Sequence, residues 1–148
     1  MRIALGSDHA GFDIKEEIRL ELRKRGYTVV DKGCHGKEPT DYPDYARQVA
    51  TAVADSAVDR GILICSTGIG MSIAANRHAG VRAALCHNCD MAYFARTHND
   101  ANILVLGARY VTFLDARAIV EVFLGTRFSG SDRHRRRIDK IESCEASA

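Results

Sequence analysis

The stretch from Gly61 to Asn76, GILICSTGIGMSIAAN, restricts what this chain can fold into more than any other part of it. Ile62, Leu63 and Ile64 form an apolar run of the kind buried on both faces of a parallel sheet, and Cys65 stands at its end. Ser66, Thr67, Gly68 and Gly70 are turn and cap residues, and the segment from Met71 to Asn76 has the small, apolar character of a helix laid on a sheet. The unit reads strand, tight loop, helix. In such a unit the first helical N–H groups are unpaired and point into the crevice at the strand's carboxyl end, where they attract anions or developing negative charge. Cys65 sits at that crevice.

The same unit recurs along the chain. Arg2 to Gly6 predicts a strand, Ser7 to Gly11 a polar turn, and Phe12 to Arg25 a helix with Ile14, Ile18 and Leu22 on one face. Tyr27 to Asp31 predicts a second strand, and a helix follows from Pro43 with Ala46, Val49, Ala50, Val53 and Ala57 in helical period. After the Cys65 unit come a strand at Val81 to Cys86, a helix at about Asp90 to Thr97, the polar run His98 to Asn102 and a strand at Ile103 to Leu106. Thr112 and Asp115 have capping-box spacing and open a helix that reaches Gly125. Ile138 and Ile141 suggest a short helix in the basic tail. Strands alternating with helices in this way predict an α/β fold with a mainly parallel five-stranded sheet and helices on both faces. Ligands of such sheets bind outside the carboxyl ends of the strands. Asp8 and His9, Cys65 to Gly70, and Arg109 fall there; His98 and Asn99 precede the last strand and reach the crevice only if the helix end folds over it.

At 148 residues and 46% hydrophobic content the chain is expected to be one domain, residues 1–148, with a proper core. Ile3 to Leu5 is too short for a signal peptide and no run approaches a membrane span, so a cytoplasmic location is expected. Five cysteines, odd in number and irregular in spacing, read as reduced thiols. A net charge of +2 in a chain that is 27% charged argues against nucleic acid or a membrane as partner. Familiar nucleotide motifs fail one position further on. Gly6 and Gly11 have P-loop separation, but Phe12-Asp13 stands where Lys-Ser/Thr is required; Gly68-Ile69-Gly70 lacks the third glycine of a dinucleotide fingerprint. A cysteine phosphatase would want an arginine six residues after the thiol, and position 71 is Met71.

Several residues carry two readings at this stage. Cys65 is either a packed structural thiol or, beside a helix N-terminus, a base or nucleophile of lowered pKa. Cys86-His87-Asn88-Cys89 resembles half a zinc site, but no second ligand pair appears, so no metal is expected. Asp8-His9 and His98-Asn99-Asp100 are either turn and cap residues or an acid/base imidazole with hydrogen-bond partners for hydroxyls. The run Arg133-His134-Arg135-Arg136-Arg137 is either a solvated or nucleic-acid-binding cluster or, with Arg133 and Arg137 at i, i+4 and Arg109 beside them, a phosphate clamp.

Taken together, Ser7-Asp8-His9-Ala10-Gly11, Thr40-Asp41-Tyr42-Pro43, Ile64 to Gly70, Ile73-Ala74-Ala75-Asn76, His98-Asn99-Asp100 and the final arginines resemble, in order and spacing, the type B ribose 5-phosphate isomerases and their galactose 6-phosphate isomerase relatives. The resemblance covers essentially the whole chain. It implies a three-layer α/β/α, Rossmann-like fold, a homodimer or dimer of dimers, and interconversion of an aldose phosphate with its ketose without metal or cofactor. Carried over by position, Cys65 is the base between C1 and C2, and His98 assists ring opening. Asp8, His9 and Asn99 hold the sugar, and the N–H groups of Ser66, Thr67, Gly68, Ile69 and Gly70 face the ene-diolate. Arg109, Arg133 and Arg137 bind phosphate, the late arginines from the partner subunit, so that the segment at about 126–148 serves the neighbouring site. The segment Thr126 to Asp132 is one residue longer than the family pattern, which leaves Arg136 as an alternative to Arg137. A base glutamate found in one branch has no counterpart at Met71, so the chain falls in the cysteine branch. Ribose 5-phosphate is the expected substrate; a galactose, allose or four-carbon sugar phosphate, or binding without turnover, are the alternatives.

Overall fold

The computed structural model describes residues 1–146; positions 147 and 148 of the expected domain lie outside the described residues. Five strands form one sheet: β1 (Arg2–Ser7), β2 (Thr28–Asp31), β3 (Arg60–Cys65), β4 (Ala83–Leu85) and β5 (Ile103–Gly107). Every pairing is parallel, in the order β2-β1-β3-β5-β4, so the expectation of a mainly parallel sheet sharpens to a wholly parallel one. The helices are α1 (Phe12–Lys24), α2 (Tyr42–Ala54), α3 (Ile69–Ala75), α4 (Cys89–Asn99), α5 (Phe113–Gly125) and α6 (Asp132–Ala146), with one 3-10 turn at His9–Gly11.

Side chains alternate along the three central strands and divide the core in two. Ile3, Leu5, Ile62, Ile64, Leu104 and Leu106 pack against α1, α4 and α5. Ala4, Leu63, Cys65, Ile103 and Val105 face α2 and α3. Both faces are therefore covered, which is what the unbroken apolar runs demand. The capping box at Thr112 and Asp115 is present in full, and Pro43 sits in the first turn of α2.

Two elements depart from the periodicity. The strand expected over 81–86 is assigned only at Ala83–Leu85, at the sheet edge, although the Arg82 carbonyl and the Cys86 N–H on either side of it still bond to the backbone of Ile103 and Val105. The Asn76 amide brackets Ala83 on both its N–H and its carbonyl, and the Arg82 N–H donates to Asn102 Oδ1. The basic tail forms the long helix α6 rather than a short one. Among the described residues of α6 only His134 is buried.

From β1 the chain crosses to β2 on one side and then returns to β3 on the other side of β1. The topological switch point, where the connections diverge and open a crevice, lies between the carboxyl ends of β1 and β3. Asp8 and Cys65 follow those two ends.

Candidate active site

At the switch point the parallel register pairs Ser7 with Ile64, and the Asp8 N–H donates to the Ile64 carbonyl. Asp8 and Cys65 are thus neighbours on adjacent strand ends. Asp8 is buried and caps the 3-10 turn, its Oδ1 accepting N–H bonds from Ala10 and Gly11 at 3.0 and 3.2 Å. The cap reading is correct, and it leaves Oδ2 for a ligand. The His9 ring is oriented from behind: the Thr40 N–H donates to Nδ1 at 3.1 Å. That bond selects the tautomer with its proton on Nε2, so His9 presents a donor outward.

Cys65 is 4% exposed, and its Sγ accepts the Gly68 N–H at 3.2 Å. A backbone donor aimed at sulfur is the arrangement a thiolate needs. Gly68 accomplishes this with a left-handed backbone, φ 78°, and in a space where a Cβ would lie 2.4 Å from Leu85 Cδ1 and 3.1 Å from the Leu106 carbonyl carbon. The loop carries fewer free donors than the resemblance implies. The N–H groups of Gly68 and Ile69 are spent on Cys65 Sγ and Thr67 Oγ1, whereas those of Ser66, Thr67 and Gly70 have no hydrogen bond among the described residues. The loop is held from below by the Ala108 and Arg109 N–H groups, which donate to the carbonyls of Cys65 and Ser66. Arg109 therefore stands at the rim of this crevice, with its side chain exposed. Tyr42 was given no role by sequence reasoning. Its ring lies so close over Gly70 that a Cβ there would be 2.4 Å from the phenol oxygen, which places an aromatic wall beside the loop.

His98 and Asn99 are elsewhere. They form the last turn of α4, which starts near the carboxyl end of β4 and runs back to the amino end of β5. Eleven residues at about 1.5 Å each carry the helix roughly 16 Å away from the crevice. The helix end does not fold over the crevice within one chain, contrary to what that reach required. Instead, His98 stacks on His134 of α6, with ring centroids 4.3 Å apart and planes 19° apart, and lies 4.8 Å from Phe94. Arg133 and Arg137 flank His134; burial first, then the charges of His98, Arg133 and Arg137, hold its pKa below the usual imidazole value.

Arg96 is another residue the sequence concealed, since an arginine in a helix reads as solvated. It is buried, bonding Asp100 Oδ1 at 2.8 Å and the Ala101 and Thr126 carbonyls at 2.6 and 3.2 Å, and so ties the His98 turn to the exit of α5. The suspected half zinc site has other duties. Asn88 caps α4 through the Met91 N–H, His87 stands edge-on to Tyr110, and burial pushes the Cys86 thiol up to about 11, away from the thiolate a metal requires. No group of three or more His, Cys, Asp or Glu side chains is arranged for a metal among the described residues. All five cysteines are free thiols, and no helix among the described residues is long and apolar enough to cross a membrane.

The chain is thus a doubly wound α/β protein whose candidate ligand crevice lies at the topological switch point, furnished with a carboxylate, an imidazole, a thiol and unspent N–H donors. The profile of the Ribose/Galactose Isomerase family matches residues 3–141. The chain belongs to that family. It is 49% identical over 144 residues to ribose-5-phosphate isomerase B of Escherichia coli K12, covering 97% of this chain and 96% of that protein. Its backbone is similar to that of ribose-5-phosphate isomerase B from Clostridium thermocellum, with a TM-score of 0.98, 51% identity and 99% of each chain covered. The type B ribose 5-phosphate isomerase from Trypanosoma cruzi superposes with a TM-score of 0.96 at 47% identity over the whole of both chains.

Proposed function

We propose that this protein is an aldose–ketose isomerase that interconverts ribose 5-phosphate and ribulose 5-phosphate through an ene-diolate, with Cys65 as the base. The observation that carries the reading is the sulfur of Cys65, seated between Asp8 and a loop with free N–H groups and holding the Gly68 N–H at 3.2 Å. A thiolate there takes the C2 proton of the open aldose while the C1 oxygen gains negative charge. The N–H groups of Ser66, Thr67 and Gly70 stabilise that oxygen, an effect worth roughly 3–4 kcal/mol of barrier for one well-placed donor. The O2 proton passes to O1, and Cys65 returns its proton to C1. Asp8 and the Nε2 donor of His9 hold sugar hydroxyls, as Asn99 does from the other half of the site. Arg109, Arg133 and Arg137 bind the phosphate, which orients the carbon skeleton.

The site is completed by a second copy of the chain. His98, Asn99, Arg133 and Arg137 lie at the end of the sheet away from Cys65, and the edge strand β4 between them carries exposed Ile69, Ile73, Met91 and Phe94 on its flanks. Two copies related by a two-fold axis at that edge and perpendicular to β4 bring the His98 end of one to the Cys65 end of the other. The segment from residue 126 onward then serves the partner's site.

Incubation with ribose 5-phosphate in deuterated water tests the reading. Ribulose 5-phosphate with solvent deuterium at C1 is expected, and Cys65→Ala is expected to abolish turnover while retaining sugar-phosphate binding. Full turnover by Cys65→Ala removes the thiol from the base role. Failure of the wild-type chain to turn over ribose 5-phosphate, and then galactose, allose and four-carbon sugar phosphates in turn, leaves only a binding module.

A further inference from the structure

His134 belongs to the arginine-rich run, yet its side chain is buried while its neighbours on α6 face solvent. It lies flat against His98. The His98 ring is consequently clasped by two aromatic rings, a tilted Phe94 one turn earlier in α4 and a stacked His134 from α6. Neither imidazole makes a hydrogen bond among the described residues, so the clasp leaves both nitrogens of His98 free at the ring edge. In this respect His98 differs from His9, whose Nδ1 is occupied by the Thr40 N–H.

We infer that His134 is a positioning residue for ring opening, its face holding the imidazole of His98 against the furanose while leaving both nitrogens of that imidazole to the sugar. The inference rests on the isomerase reading. In ring opening the C1–O4 bond breaks, O4 takes up a proton and the O1 hydroxyl gives one up; an imidazole with two open nitrogens fits that exchange. Aromatic stacking supplies orientation without using a nitrogen.

Substrate form separates this role from a merely structural one. Ribose 5-phosphate is largely a furanose, whereas ribulose 5-phosphate is acyclic, because its C5 oxygen is esterified and cannot close on C2. His134→Ala is expected to lower kcat on ribose 5-phosphate about three- to tenfold, the worth of one aromatic pair. The same variant is expected to keep wild-type wash-in of solvent deuterium into saturating ribulose 5-phosphate. His134→Phe, which keeps an aromatic face, is expected to restore most of the loss. Equal losses on both substrate forms, no loss on either, or a His134→Phe variant as slow as His134→Ala would each overturn the inference. A wild-type chain inactive on ribose 5-phosphate would show instead that the isomerase reading itself had failed.

Discussion

Substituting Gly68 by alanine isolates what the loop after β3 does for Cys65. Two costs add. The backbone φ of 78° is left-handed, which costs a residue with a Cβ about 1–2 kcal/mol. The added methyl would also stand 2.4 Å from Leu85 Cδ1, 3.1 Å from the Leu106 carbonyl carbon and 3.2 Å from the Gly107 nitrogen. Leu85 can turn aside, but the two backbone atoms belong to β5, which is paired to β3 and cannot retreat alone. Overpacking of this kind costs about 1–3 kcal/mol, for a total of about 2–5 kcal/mol. Gly26 provides the control: its φ is 87° and nothing lies within 4 Å of a Cβ there, so Gly26→Ala incurs the strain alone, about 1–2 kcal/mol. Urea denaturation of both variants measures the difference, which is the packing part. Turnover of ribose 5-phosphate reads the site. Because the loop relaxes by moving the Gly68 N–H off Cys65 Sγ, Gly68→Ala is expected to lose about a hundredfold in kcat, the consequence of misplacing a reacting group by about an ångström. Gly26→Ala is expected to turn over normally. If both variants lose the same stability and Gly68→Ala keeps its rate, the fit of this loop is not what holds the thiol.

Two further outcomes are expected. Co-expressing Cys65→Ala with His98→Ala chains yields mixed dimers with one doubly defective and one intact site, and is expected to recover about a quarter of wild-type activity; a mixture as inactive as its parents would refute a site shared between copies. Glu16 is held at about 2 chiefly by its hydrogen bond to Arg19, then by Lys15, against the opposing effect of burial. Its folded pKa is depressed, so its contribution, about 2–3 kcal/mol after allowing for partial exposure, is complete above its ordinary value and vanishes as pH falls toward about 2. The stability gap between wild type and Arg19→Ala in urea should therefore be constant above about pH 5 and close on acidification. A gap that does not change with pH would show that Arg19 acts only by packing.

Much of the crevice was legible because its causes are local. The apolar run ending at Cys65 specifies a buried strand by its lack of polar alternation, and Gly68 marks the turn after it. Asp8 announces a cap by its place before Ala10 and Gly11, and Thr112 with Asp115 form a box set by a three-residue spacing. Each of these depends on neighbours a few positions away. The 81–86 strand was overread at its start, where the Arg82 N–H turns to Asn102, a remote side chain that no local pattern includes.

By itself, then, the sequence determined the alternation of strands and helices, the residues at the strand ends and the family motifs, since periodicity and capping act within a turn or two of chain. Only the tertiary structure decided that β5 lies between β3 and β4, that His98 and Asn99 stand at the far end of the sheet from Cys65, and that His134 stacks on His98 while Arg133 and Arg137 remain exposed. Those outcomes depend on which faces meet after the chain has crossed the sheet, and contacts between residues dozens of positions apart leave no period in the sequence between them.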